Sequence, residues 1–146
     1  MASLVGSRVE RKEDKRFLTG KGRYTSDINI INQTYAVFVR SPHARAKIKK
    51  VDFSKASKAP GVVSVLTGAD IVKDKIGGLI AGWKIVSEDG TDMKVPAHPP
   101  LASDTVNYVG DHVAVVIAES LDEAKAAANL VEVDYKVLKA VISTAE

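Results

Sequence analysis

The chain has 146 residues, a near-average apolar fraction of 45 % and no cysteine, which excludes disulfide frameworks, thiolate metal sites, iron–sulfur ligation and a cysteine nucleophile. Its net charge of +3 comes from 21 basic and 18 acidic residues spread along the sequence. That excess does not build the basic face that duplex binding requires, and 5 % aromatic residues do not build a stacking platform for single strands. No apolar run approaches the ~20 residues of a membrane span. The start of the chain lacks the apolar core of a signal peptide, so the expected compartment is the cytoplasm.

Residues 1–27 form a polar opening stretch. Its charges alternate through Arg8, Glu10, Arg11, Lys12, Glu13, Asp14, Lys15 and Arg16, and no apolar period runs through it before Phe17 and Leu18. Such a segment buries little surface alone, and the expectation is an extended arm that packs on something else. The folded region follows, over 28–146.

Tyr35–Arg40 is rich in β-branched and aromatic residues and reads as a strand, broken by Pro42 in Ser41-Pro42-His43. Ala46, Ile48 and Val51 alternate with Lys47, Lys49 and Lys50 as a half-buried second strand. Ser54 is expected to cap a short helix over 55–59 that Pro60-Gly61 ends. Residues 62–66 read as a third strand, and Thr67 or Gly68 starts a turn of helix through Asp70-Ile71.

Residues 73–103 differ in kind. Glycines at 77, 78, 82 and 90 and prolines at 96, 99 and 100 punctuate scattered apolar residues. A stretch of this length without a period is uncommon in a compact domain and is often functional. Short strands are expected at 84–86 and 94–95. Residues 106–109 read as a strand ended by Gly110-Asp111. The all-apolar run 113–118 reads as a strand buried on both faces. Ser120 and Glu123 form a capping box for a helix whose apolar stripe is Ala124, Ala127, Ala128 and Val131, and residues 132–135 resume alternation. The strand–helix–strand order over 113–135 predicts a βαβ unit in a small mixed sheet.

Chemistry-bearing residues are few. His43, His98 and His112 lack helical zinc spacing, and each sits beside a proline, glycine or aspartate, the signature of surface turns. Ser41 and His43 are too close in sequence to be placed by separate elements as nucleophile and base, and no Gly-x-Ser-x-Gly elbow occurs. Gly20-Lys21-Gly22 lacks the third glycine and the strand–turn–helix context of a dinucleotide loop. Asp111-His112 has the composition of an acid–base pair, but it reads first as a turn between two strands. No residue qualifies as catalytic, cofactor-binding or metal-ligating. A small-ligand module built on residues 73–103, and a hydrolase using Ser41, His43 or His112, stay open as alternatives.

Several collinear runs resemble a known family. They are residues 6–24, opening Gly6-Ser7-Arg8-Val9-Glu10-Arg11 and closing Phe17-Leu18-Thr19-Gly20-Lys21-Gly22-Arg23-Tyr24; then Arg40-Ser41-Pro42-His43-Ala44-Arg45-Ala46-Lys47-Ile48; then Ala59-Pro60-Gly61-Val62-Val63-Ser64-Val65-Leu66-Thr67-Gly68-Ala69-Asp70-Ile71; and last Pro100-Leu101-Ala102 with Val106-Asn107-Tyr108-Val109-Gly110-Asp111-His112-Val113-Ala114. Together they resemble the α/β hammerhead domain at the start of the molybdenum-binding large subunit of the xanthine dehydrogenase / aldehyde oxidase / carbon monoxide dehydrogenase family. The opening run is most similar to the carbon monoxide dehydrogenase-like branch. Asn107 and Asp111-His112 depart from the residues that relatives often carry there.

The resemblance implies an α+β hammerhead fold with an N-terminal arm, and an oxidoreductase that hydroxylates its substrate with a molybdopterin cofactor. It further implies iron–sulfur and FAD partners in the full complex, with the catalytic and cofactor residues in a larger domain that follows the hammerhead. This chain would then serve as a non-catalytic structural domain whose arm docks on that domain or on a sister subunit, without contact to nucleic acid or membrane.

Overall fold

The computed structural model describes every residue except 1–4, 7, 81 and 144–146. Ser7 of the opening run lies outside the described residues. The chain divides into two compact units, Met1–Gln33 and Thr34–Glu146.

The first unit is more than an extended arm. It holds a short helix, α1 (Asp14–Leu18), and a single 3-10 turn, Thr25–Asp27. The alternating charges neutralise each other locally: Arg11 pairs with Asp14 at 3.0 Å and Arg16 with Glu13 at 3.2 Å. All four side chains are substantially exposed, so these pairs contribute little stability. The Arg16 guanidinium lies over the Phe17 ring, which stacks on Tyr24 at 5.6 Å. Residue 22 abuts that same ring, and a Cβ there would press on it. The Tyr24 backbone N–H donates to the Asp27 carboxylate at 2.9 Å, closing the 3-10 turn.

The second unit contains two three-stranded antiparallel sheets. The strands are β1 (Tyr35–Arg40), β2 (Ala46–Asp52), β3 (Val62–Thr67), β4 (Thr105–Val106), β5 (His112–Ala118) and β6 (Glu132–Val137). One sheet has the order β1–β5–β3 and the other β4–β2–β6. Two helices complete the unit, α2 (Gly68–Lys73) and α3 (Leu121–Ala128).

The expected βαβ unit is not formed. β5 and β6 belong to different sheets, and every pairing is antiparallel. The reason is occupancy: β1 and β3 satisfy both edges of β5, so β6 has no edge of β5 to join and pairs with β2 instead.

β5 is nevertheless the strand its apolar sequence predicts, buried along almost its full length. Val116 joins Ala56 and Ala127 in one core, with Val62, Val65 and Val131 packed around it. This is where α3 lies on the β1–β5–β3 sheet, through the buried Ala124 and Ala127. Val113 joins Ala46, Ile48, Ala102 and Val106 in a second core, flanked by Val133 and Tyr135 of the other sheet. A bulge lies at this residue. Val39 pairs with Ala114 and Arg40 with His112, leaving Val113 as the extra residue.

A second bulge resolves the parity of β2. Ile48 pairs with Tyr135 and Lys50 with Asp134, so Lys49 is the inserted residue. Ala46, Ile48 and Val51, at offsets of two and then three, thereby all reach the same core.

The local signals have mixed outcomes. Ser120 caps α3 as expected, accepting the Glu123 N–H at 3.2 Å, but the capping box is not completed: the Glu123 carboxylate takes the Ser120 hydroxyl at 2.7 Å instead of its backbone N–H. Thr67 starts α2, donating both N–H and hydroxyl to Asp70 at 2.7 and 2.9 Å, which holds the Asp70 carboxyl below its usual range. Ser54 does not cap. Its N–H and hydroxyl both turn back to Asp52, and only a 3-10 turn, Ala56–Lys58, follows. The strand expected at 106–109 is only Thr105–Val106, because the Asn107 N–H donates to the Asp111 side chain and leaves the ladder. The strands expected at 84–86 and 94–95 reduce to one bridge, Val86 to Asp92, around a turn closed by the Gly90 N–H on the Ser87 carbonyl.

Gly68 marks the tightest junction in the unit. A Cβ there would overlap the Ala102 backbone, and the Ala102 N–H in turn donates to the His112 carbonyl at 2.7 Å. The end of β3, the 101–102 segment and the start of β5 are thus locked backbone to backbone.

Val116→Ala removes two methyl groups at the centre of the first core, where the side chain is fully buried. It is expected to cost about 2 kcal/mol, against less than about 0.5 kcal/mol for Val72→Ala on the exposed side of α2. Urea unfolding followed by circular dichroism measures both.

Candidate functional site

The residues that carry chemistry gather where β1 ends and β5 begins. The Ser41 N–H donates to the Asp111 carbonyl, and the Gly110 N–H donates back to the Ser41 carbonyl, each at 2.8 Å. Gly110 makes the reversal at φ +92, a conformation that side chains disfavour. The Arg40 guanidinium donates to the Gly110 carbonyl at 3.2 Å and seals the junction from outside.

Three side chains are fixed by this junction. Ser41 is 2 % exposed, and its hydroxyl donates to the His43 carbonyl while accepting the His43 N–H. Asp111 is 6 % exposed, and its carboxylate accepts the Asn107 N–H at 3.0 Å. The Tyr108 hydroxyl pairs with His98 Nε2 at 3.2 Å, their rings edge to face at 5.9 Å. An open groove of ≈ 430 Å³ runs between them, lined by Pro96, His98, Pro99, Ala102, Tyr108 and Asp111 among others.

Charge and burial shape the phenols here. Desolvation pushes Tyr108 above the ordinary tyrosine range, and the Asp111 carboxylate pushes it further. Burial likewise raises Tyr135, with Asp111 adding to the rise and a hydrogen bond from Ser41 opposing it. Both phenols are therefore held in the protonated, donor-competent form.

The three histidines do not converge. The His43 ring meets Tyr135 edge-on at 5.0 Å, His98 meets Tyr108, and His112 stacks on Phe38 at 4.4 Å. Each imidazole is engaged by a different aromatic ring. His112 opens a strand rather than occupying a turn. Among the described residues no three His, Asp or Glu side chains gather as a metal site.

The expected juxtapositions resolve the same way. Ser41 bonds to the His43 backbone and not to its imidazole, so the two do not form a nucleophile and base. Asp111 and His112 are adjacent in sequence, but one bonds to Asn107 and the other stacks on Phe38, so they do not act as a pair. Gly20 and Gly22 lie in the first unit between α1 and the 3-10 turn, and no strand precedes them there. The Tyr108–His98 contact was not visible in the sequence. Its only signal was that an aromatic residue before Gly110 and a histidine inside a proline cluster both flank turns.

Asp111→Asn keeps the shape of the side chain and removes its charge. Tyr108 and Tyr135 are then expected to titrate at lower pH than in the unmodified chain, because the charge that opposes phenolate formation is gone. Site-resolved NMR titration of the tyrosine rings reads the shift; unchanged values would contradict the electrostatic coupling.

The profile of the aldehyde oxidase and xanthine dehydrogenase a/b hammerhead domain matches residues 19–139. The chain is similar to the nicotine 6-hydroxylase large subunit of Paenarthrobacter nicotinovorans, 42 % identical over 140 residues, covering 96 % of this chain and 16 % of that protein. It is similar to the carbon monoxide dehydrogenase large chain of Afipia carboxidovorans at 36 % identity, covering 94 % of this chain and 16 % of the other. Among solved structures, quinoline 2-oxidoreductase from Pseudomonas putida 86 superposes with a TM-score of 0.80 at 37 % identity, over 93 % of this chain and 16 % of that one. The chain thus spans about one-sixth of the length of the relatives it matches. With helices on antiparallel sheets, collinear motifs and a profile match over most of its length, the chain belongs to the xanthine dehydrogenase / aldehyde oxidase / carbon monoxide dehydrogenase family of molybdenum hydroxylases, as the α/β hammerhead domain of the large subunit.

Proposed function

We propose that this chain is a non-catalytic structural and assembly domain of a molybdenum-containing hydroxylase that oxidises carbon monoxide, an aldehyde or a nitrogen heterocycle. Residues 1–27 serve as the docking arm and residues 28–146 as the hammerhead body. The observation that carries the reading is the coverage: 96 % of this chain aligns with 16 % of a large subunit, one domain's share of a much longer protein. The hammerhead is carried either within a longer chain or as a separately encoded piece of a split subunit.

The reading extends to the assembly. A molybdenum-binding domain or subunit is the direct partner, and iron–sulfur and flavin subunits complete a cytoplasmic complex. No helix among the described residues is long and apolar enough to cross a membrane. The molybdopterin, iron–sulfur and FAD groups belong to those other parts. This chain's described residues do not fit a metal or a cluster: cysteine is absent, and no set of three ligating side chains comes together. No chemical step is therefore assigned to its side chains.

The test is co-expression of the tagged chain with the molybdenum-binding chain encoded beside it. Stable co-purification in equal amounts, with molybdenum in the eluate, is expected. A hammerhead chain that elutes alone would overturn the reading.

A second reading is a small-ligand module that uses residues 73–103, and the groove beside His98 and Tyr108 favours it. It predicts chemical-shift changes at Ala97, His98 and Tyr108 on adding aldehydes or purines to the isolated chain. Spectra without change at these residues would remove it.

A further inference from the structure

The segment over residues 76–83 reads Ile-Gly-Gly-Leu-Ile-Ala-Gly-Trp and carries no charged side chain. Its backbone is secured at both ends. The Ile76 N–H donates to the Ile71 carbonyl at 3.0 Å, the Leu79 N–H to the His98 carbonyl at 2.7 Å, and the Met93 N–H to the Ile85 carbonyl at 3.0 Å. Lys84 pairs with Asp92 at 3.2 Å across the turn beyond. The side chains receive no such cover. Ile76, Leu79, Ile80, Trp83, Ile85 and Val86 are all more than half exposed, with Ile80 at 92 % and Trp83 at 84 %.

Six large apolar side chains within eleven residues exceed the scattered apolar exposure that is normal on a soluble surface. Backbone hydrogen bonds at Ile76, Leu79 and Ile85 flank these side chains, which themselves lack cover. Residues 76–83 lack the charges that pair within the first unit, Arg11 with Asp14 and Arg16 with Glu13.

We propose that residues 76–86 are a tongue that inserts into an apolar cleft of the remainder of the large subunit, with Ile80 and Trp83 as its anchors. The inference rests on the domain reading above and names the surface that reading requires. The occupant follows from length: in relatives 36–42 % identical, this region is only 16 % of one continuous chain, so about five-sixths of that chain is available to cover it. The chemistry of the cleft follows from the tongue itself. A tongue rich in glycine and branched aliphatic residues, whose one charge, Lys84, is paired with Asp92, fits a pocket without charges, and an indole supplies a large rigid anchor at small conformational cost.

Trp83 is the chain's single tryptophan and reports on the contact directly. The chain is labelled with 5-fluorotryptophan and mixed with the co-expressed molybdenum-binding chain. The single fluorine resonance is expected to shift on complex formation and to lose its sensitivity to exchange of water for heavy water. Ile80→Asp is expected to weaken the association at least tenfold, leaving the thermal unfolding of the free chain unchanged because residue 80 contributes nothing to its core. Ile80→Ser replaces it if the charge disturbs folding. Either a variant that binds like the unmodified chain, or a fluorine still exposed in the complex, overturns the tongue and leaves the domain reading standing. Burial of the fluorine in the free chain also overturns it, assigning the cover to a second copy if the burial depends on concentration and to residues 1–33 if it does not. Absence of any association overturns both.

Discussion

The double burial of β5 is the constraint on which the hammerhead unit depends. A strand whose two edges are paired and whose two faces are covered must be apolar throughout, and 113–118 is. Val116 looks toward α3 and Val113 toward the second sheet, and both are fully buried. One strand therefore supplies a side chain to each core and ties two small sheets into a unit that neither could sustain alone. The alanines of α3 follow from this. Ala124 and Ala127 are fully buried against the sheet, where small side chains let the helix approach closely.

The start of β5 has a different task. Ser41, Gly110, Asp111, Ala102 and His112 bond backbone to backbone around it, so the end of β1, the 101–102 segment and the β4–β5 turn share one rigid corner. The same corner orients the polar side chains beside it. Buried Asp111 has its hydrogen bond from a backbone N–H, and Ser41 closes on its neighbour's backbone. These groups are spent on structure, and the groove they border is walled by proline, tyrosine and histidine rings. A corner of this kind suits a domain that must present fixed surfaces to a larger assembly.

Legibility in the sequence tracked the range of the interactions. Tyr35–Arg40, the Ser120 N-cap and the Thr67 start of α2 were readable because each is decided within a few residues. The Ser54 cap failed on an equally local competitor, since Asp52 offered the serine N–H and hydroxyl a nearer acceptor. The strand at 106–109 failed because Asp111 drew the Asn107 N–H out of the ladder. Residues 84–86 and 94–95 have strand-like composition but no neighbouring edge to complete them. The histidines were expected in surface turns, and His112 instead opens β5. Their aromatic partners, up to 92 residues away in the case of His43 and Tyr135, were beyond any local signal.

The sequence by itself determined the class of the molecule, the apolar strand at its centre, the absence of thiolate chemistry and, through its collinear motifs, the family. It did so because composition, short-range periodicity and motif order survive without knowledge of neighbours. Only the tertiary structure decided that β5 and β6 lie in separate sheets, that bulges at Lys49 and Val113 shift the register of their strands, and that the apolar run over residues 76–86 stays outside both cores. These outcomes depend on which edges and faces are already occupied, and occupancy is a property of the assembled fold that no single segment encodes.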